Sequence, residues 1–349
     1  MDFTFSAEQD ALRDVARSFL EREAPGTYVR AMIDDDRGVT DAFWHKVVEL
    51  GWVGPLGMLE TVVLAEEMGK LPLPGPWLSS VCARLTAERL GDTSDGHGTL
   101  ALEEDGTRNP LESVHAAATP TGDGWVLNGV KPLVIDGHTA DFAYVVARET
   151  DGALATFVVD APGGGLVPSL DVTRKFARVV LDDRPARRVG PAGDQSALLA
   201  RVIDDIAIVL CAESVGACDR ALFMATEYAK ARVQFDRPIA TFQAIRHKIV
   251  DMLHQLELAR VATHYAAWTS DEGEDDAVRE AAAASAKGFV GEAAAMITGE
   301  NIQVHGGVGF TWDVDAHLLF RRVKANDVLF GRQGWQRERL AELVLSGAV

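Results

Sequence analysis

Arg232-Val-Gln-Phe-Asp-Arg-Pro-Ile-Ala-Thr-Phe-Gln243-Ala-Ile-Arg-His247 joins two long segments of helical patterning. Apolar residues on either side recur at helical spacing, which predicts helices over 196–232, 242–270 and 275–303 with short connections between them, as suits an antiparallel bundle. Pro238 fixes φ and lacks an N–H, so the joint is expected to be extended, with Thr241 placed to cap the next helix. The connector presents a guanidinium, an amide and two aromatic rings from a rigid corner. A guanidinium fork matches a phosphate bidentately, and Gln243 falls in the first turn of a helix whose dipole favours negative charge. The corner reads as an anion dock. A tight helix–helix joint whose Arg is merely solvated fits the same residues, and the stretch taken singly leaves both readings open.

Downstream, Gln303-Val304-His305-Gly306-Gly307-Val308-Gly309-Phe310 ends a long helix in glycines. Glycine there permits positive φ and close backbone approach to a ligand, but a helix C-cap needs no ligand at all. Upstream, the texture changes at Gly91-Asp92-Thr93-Ser94-Asp95-Gly96: the runs at 124–129, 142–147 and 155–159 are short, β-type and separated by Gly, Asp and Pro. They predict a compact β-domain ending near Gly190. Ahead of it, helical spacing recurs from Ser6 to the residues before Pro25, from Asp41 to Gly51, from Leu59 to Met68 and from Trp77 to Leu90. The expected class is α+β: an N-terminal helical domain (1–96), a middle β-domain (97–190) and a C-terminal antiparallel four-helix bundle (191–349). A chain of 349 residues is long enough for each to bury its own core.

The 52 acidic and 34 basic residues give a formal charge of −18, a field that repels nucleic acid and anionic membrane surfaces. Any anionic cofactor must therefore be held by locally placed Arg side chains and backbone N–H groups. Cys82, Cys211 and Cys218 are odd in number and without Cys-x-x-Cys spacing, which reads as buried thiols in a reducing compartment. The first residues have neither a basic nor an apolar leader region, and no apolar run approaches the ~20 residues needed to span a bilayer. A cytoplasmic protein that binds neither nucleic acid nor membrane is expected.

Taken together, the connector and the glycine segment resemble the acyl-CoA dehydrogenase family, whose connector reads R-x-x-F-G-x-P-I-x-x-F-Q-A-I-x-H and is followed by a Gln-x-x-Gly-Gly-x-Gly segment. The helix–β–helix order extends the resemblance over nearly the whole chain. In that family these segments reach across a dimer interface to the ADP part of the FAD bound mainly by the neighbouring subunit. The resemblance implies that role for Arg232, Gln234, Phe235, Ile239, Phe242 and Gln243, and for Gln303, Val304, Gly306 and Gly307. Asp236 replaces the motif glycine.

The resemblance fails where chemistry is needed. The family removes a proton from Cα of an acyl-CoA thioester with a carboxylate while hydride leaves Cβ for the flavin. Most members carry that Glu in a Tyr-Glu-Gly-Thr segment, where this chain has Leu329-Phe330-Gly331-Arg332; others carry it on the first helix of the bundle, where this chain has Ile206. Neither Phe330 nor Ile206 accepts a proton. Glu213 lies nearly on the same helix face as Ile206 but about 10 Å further along at ~1.5 Å per residue, and Asp204 and Asp205 point elsewhere. All three also read as structural carboxylates. The loop and strand that flank the flavin ring are replaced by 102–109 and by Lys131-Pro132-Leu133-Val134-Ile135-Asp136. Trp125 reads as a core aromatic, and connecting loops are shortened after Pro55 and after Gly91.

What is lost would build a flavin-ring pocket and base; what remains serves a neighbour's FAD. The resemblance thus implies one subunit of a bacterial heteromeric (α2β2) acyl-CoA dehydrogenase, with half the flavins of a homotetramer. It would share FAD with a homologous subunit that supplies the ring pocket and the Glu, act on an acyl-CoA such as a sterol side-chain ester, and pass electrons to an electron-transfer flavoprotein. An autonomous homo-oligomer with a relocated base such as Glu213, and a non-catalytic scaffold, are the alternatives. A chain that is yellow and active alone favours the first; retention of Arg232, Gln243 and Gln303 speaks against the second.

Overall fold

The computed structural model describes residues 5–104, 109–122, 124–273 and 275–349. Residues 1–4, and residues 105–108 of the loop expected beside a flavin ring, lie outside the described residues.

Five helices open the chain: α1 Ala7–Glu23, α2 Gly26–Ile33, α3 Asp41–Glu49, α4 Met58–Gly69 and α5 Trp77–Leu90. Ser6 starts α1 with a reciprocal cap. Its hydroxyl accepts the Gln9 N–H at 3.2 Å, and the Gln9 side-chain oxygen accepts the Ser6 N–H at 3.0 Å. Gly57, ahead of α4, has no side chain to do this; the Asp271 carboxylate accepts the Met58 and Leu59 N–H groups at 2.6 and 2.9 Å instead. Helix α2 is absent from the sequence reading, which treats Pro25 only as a stop. The Pro25 carbonyl accepts the Tyr28 and Val29 N–H groups, so this proline begins a helix as well.

The β-region comprises β1 Gly98–Ala101, β2 Ala117–Thr121, β3 Gly124–Ile135, β4 Phe142–Arg148, β5 Leu154–Asp160, β6 Gly165–Val167 and β7 Phe176–Val189. Pairings run β2–β3–β7–β5–β4 and return from β4 to β2 at Ala117↔Arg148, so the ladder closes on itself; β1 flanks β4 in parallel and β6 flanks β7. Inward positions are small or branched: Ala143, Val145 and Ala147 on β4 face a core shared with Phe157, Val159, Leu127 and Leu181. Trp125 packs against this core, 5.3 Å from the Phe157 ring, as its reading as a core aromatic requires.

Helices α6 Ser196–Ala231, α7 Gln243–Asp271, α8 Asp276–His305, α9 Ala316–Val328 and α10 Gln333–Ser346 complete the chain, the first three within two residues of the expected spans. The fold is the α+β arrangement expected: helices, a closed β-domain, then helices. By internal packing the chain forms two compact units, one of residues 1–29, 57–73 and 207–349, the other of residues 30–56 and 74–206. In the first unit α4 and α6 approach backbone to backbone. A Cβ on Gly69 would lie 2.0 Å from the Glu213 carbonyl oxygen, and one on Gly216 would lie 1.9 Å from that of Glu66. All three cysteines are buried free thiols, and burial pushes the Cys211 thiol up to about 12. Among the described residues no helix is long and apolar enough to cross a membrane.

Candidate functional site

Helix α6 ends one residue before Arg232, and the connector then folds into a two-residue hairpin: β8 Val233–Gln234 pairs antiparallel with β9 Arg237–Pro238. Its turn residues, Phe235 and Asp236, both have positive φ, 53° and 61°. A turn with two left-handed residues matches the strand twist but favours Gly, Asn or Asp, which explains a glycine at the second position of the family pattern and its tolerable replacement by Asp236. Phe235 is held there against its own preference and is 87% exposed. Its ring meets Phe242 edge-on at 6.0 Å, and the Arg237 guanidinium lies 4.3 Å from the Phe242 ring centre. Arg232, Gln234 and Gln243 are exposed; Ile239 and Phe242 are half-buried. Thr241 does not cap α7: its hydroxyl donates to the Pro238 carbonyl at 2.7 Å, and the cap position belongs to Phe242, which makes no side-chain cap bond. The Ile245 and Arg246 N–H groups in the first turn of α7 both donate to the Phe242 carbonyl at 3.1 Å.

The glycine segment leaves the same end of the bundle. Tyr228, one turn before Arg232, stacks on His305 at 4.3 Å, and His305 is the last residue of α8. Gln303, Gly306 and Gly307 are exposed, and space is open around both glycines where a Cβ would stand. Val304 is buried, so a ligand could meet only its backbone. The two motifs therefore frame one exposed, hydrogen-bond-rich corner with backbone bare enough for close approach.

The carboxylates weighed as bases are engaged elsewhere. Glu213 is buried, with Oε1 2.5 Å from Arg322 Nη1 and Oε2 accepting from Asn326 Nδ2 at 2.8 Å. Arg322, itself buried, also donates to the Pro72 and Leu73 carbonyls at 3.2 and 3.1 Å. Asp205 is buried and accepts two hydrogen bonds from Arg89, at 2.9 and 2.7 Å, and Asp204 is buried beside it. Phe330 is buried with φ of 54°, and Ile206 is fully buried. In the β-domain, Lys131 is fully buried and donates to Glu104 Oε1 at 2.6 Å and to the Leu102 carbonyl at 2.9 Å. Glu104 in turn accepts the His115 and Ala116 N–H groups, at 2.8 and 2.9 Å. Burial pushes the Lys131 ammonium down to about 8, against the pull of Glu104.

Residues 198–345 match the model of the acyl-CoA dehydrogenase C-terminal domain. Acyl-CoA dehydrogenase IpdE2 of Mycolicibacterium smegmatis is 28% identical over 346 residues, covering 96% of this chain and 98% of its own. The C-terminal region of this chain is an acyl-CoA dehydrogenase C-terminal domain, and nearly the whole chain is similar to acyl-CoA dehydrogenases. Benzylmalonyl-CoA dehydrogenase of Aromatoleum aromaticum is likewise 28% identical over 390 residues, with both chains covered in full. Among solved structures, a variant of the Tcur3481–Tcur3483 steroid ACAD superimposes with a TM-score of 0.87 at 27% identity, covering 98% of each chain. The ChsE4–ChsE5 complex of Mycobacterium tuberculosis gives a TM-score of 0.86 at 25% identity, covering 99% of each.

Acyl-CoA dehydrogenases are typically FAD flavoproteins, and the residues of this chain fit one end of that cofactor better than the other. The exposed guanidinium, amides and bare glycine backbone of the α6–α7 and α8 corner suit an ADP moiety. The segments expected to flank an isoalloxazine fit one less well: a buried Lys131–Glu104 pair ties Glu104 to strand β3, and the positions expected for the base hold Phe330 and Ile206. Reading the sequence finds the corner, but misses the left-handed Phe235-Asp236 turn and the Lys131–Glu104 tie. The first was signalled by two residues between Val-Gln and Arg-Pro; the second pairs residues 27 apart and has no local signature.

Proposed function

We propose that this chain is one subunit of a heteromeric FAD-dependent acyl-CoA dehydrogenase, bracing the ADP end of a flavin whose ring lies in a homologous partner subunit. The reading rests on one contrast: a phosphate-matching corner stands exposed, while the position of the family's base is a buried phenylalanine, Phe330. Bound FAD would supply the hydride acceptor for α,β-dehydrogenation of an acyl-CoA.

The chain's own residues would bind and orient. Arg232 offers a charge-assisted fork to a phosphate, Gln234, Gln243 and Gln303 offer amides, and Gly306 and Gly307 let the backbone approach. The exposed Phe235 ring, with Ile239 and Phe242 behind it, gives the corner an apolar edge. None of these groups takes a proton, so the catalytic Glu comes from the partner in a heterotetramer. The Glu213 alternative is disfavoured because Arg322 and Asn326 already engage both of its oxygens.

A steroid ACAD among the similar structures supports a sterol side-chain CoA ester as substrate, and electrons would leave to an electron-transfer flavoprotein. The test is Arg232→Ala in the co-expressed complex. Loss of one charge-assisted contact, about 1.5–3 kcal/mol, lowers flavin affinity about tenfold or more. Unchanged flavin occupancy on dilution would contradict the bracing role.

A further inference from the structure

The unit formed by residues 30–56 and 74–206 contains a cavity of about 930 Å3 that no step above uses. Its wall includes Val53, Gly54 and Pro55 and the run from Asp92 to His97. The volume falls in the range of small-molecule sites. Trp44, Val48, Ala83, Ala87 and Phe142 give it apolar lining. Two edge-to-face aromatic pairs stand in the same wall: Trp44 with His97 at 6.0 Å, and Phe142 with Tyr144 at 5.4 Å. Such rings favour a flat cyclic guest.

The Ser80 hydroxyl in the lining lacks a partner among the described residues. Helix α5 carries three hydroxyls. Thr86 donates to the Cys82 carbonyl at 2.7 Å, and Ser79 stands 2.8 Å from Asp136 Oδ2. The Ser80 hydroxyl is buried and makes no hydrogen bond among the described residues, and Ser80 is one of the residues that line the cavity. Buried hydroxyls are ordinarily satisfied, so this one points to an oxygen or N–H of a guest. Charge selects further. Asp92 is neutralised by Arg187 at 2.9 Å and Glu88 by Arg84 at 2.9 Å, which leaves Glu49, Asp95 and Asp141 to set a negative rim. That rim rejects anions, including the phosphates of an acyl-CoA.

We propose that this cavity is a second ligand site, for a neutral, ring-bearing apolar molecule with one hydroxyl or carbonyl that pairs with Ser80. The site is independent of the subunit reading above and contains none of the residues assigned to FAD or to proton transfer.

The test uses the full chain, alone and in its co-expressed complex, with 2-naphthol as probe, naphthalene as the oxygen-free control and 2-naphthalenesulfonate as the anionic one. Saturable binding of one 2-naphthol per chain is expected in both preparations, with the sulfonate at least tenfold weaker. Ser80→Ala should weaken 2-naphthol about three- to tenfold, the worth of one hydrogen bond, and leave naphthalene unchanged. Ala87→Trp should abolish both at an unchanged unfolding midpoint. Absence of 2-naphthol binding, equal affinity for the sulfonate, or indifference to Ser80→Ala overturns the proposal. So does binding to the isolated chain that disappears in the complex, which would make the cavity a seat for a partner polypeptide.

Discussion

Arg322 Nη1 lies 2.5 Å from Glu213 Oε1 inside the unit that contains the Arg232–Gln243 connector, with both side chains buried. A carboxylate that neutralises a buried guanidinium is a structural part. Removing one member of such a pair strands the other charge at a cost of about 3–5 kcal/mol, whereas replacing both with apolar groups of similar volume is often neutral. Glu213→Ala is therefore expected to lower the urea unfolding midpoint severely, and Glu213→Leu with Arg322→Met to recover much of it. Turnover per folded complex should survive in the double variant; its loss there would restore Glu213 as a candidate base.

Glycines in the same unit separate packing from docking. Gly69→Ala or Gly216→Ala would drive a Cβ to within 2.0 or 1.9 Å of a backbone carbonyl oxygen. Helix α4 and helix α6 must then move apart, a loss of about 3 kcal/mol or more, visible as a lowered thermal midpoint or insoluble expression. Gly307→Ala meets open space. It should fold like the parent and show its effect only as weaker flavin retention in the complex.

The Lys131–Glu104 tie carries a pH signature. The Lys131 pKa is pushed down to about 8 in the folded chain, against 10.5 as its ordinary value. Between these values the unfolded chain binds more protons than the folded one, so stability from this group rises with pH. It is fully present above 10.5 and lost as pH falls through about 8. Chemical denaturation of wild type and Lys131→Met at pH 7.5, 8.5 and 9.5 should show the difference between them growing in favour of wild type across that window. A constant difference would mean that Lys131 is not held in a low-dielectric site.

Much of this was legible in the residues, because most of it is local. Helical spacing places α6, α7 and α8 to within two residues, and the Arg232–His247 and Gln303–Gly307 motifs mark the corner that Tyr228 and His305 bring together. Strand β7 escapes notice because Asp182, Asp183, Arg184, Arg187 and Arg188 give it the texture of a loop, although pairing with β3 and β5 holds it extended. Helix α2 escapes because Pro25 is read as a stop. Long-range polar pairs are beyond any pattern: Glu213 meets Arg322 across 109 positions, and only the fold shows that this carboxylate is already spoken for. Thr241 is misread for a smaller reason, since a 3-10 turn over Ile239–Thr241 shifts the start of α7 by one residue.

The division of labour between two subunits is tested most directly by the visible absorption spectrum of the purified chain, alone and co-expressed with a homologous subunit that carries the catalytic Glu. The chain alone should be colourless and inactive, and the complex yellow with one FAD for every two chains. A yellow chain on its own, with one FAD per chain and acyl-CoA oxidation to match, would contradict it.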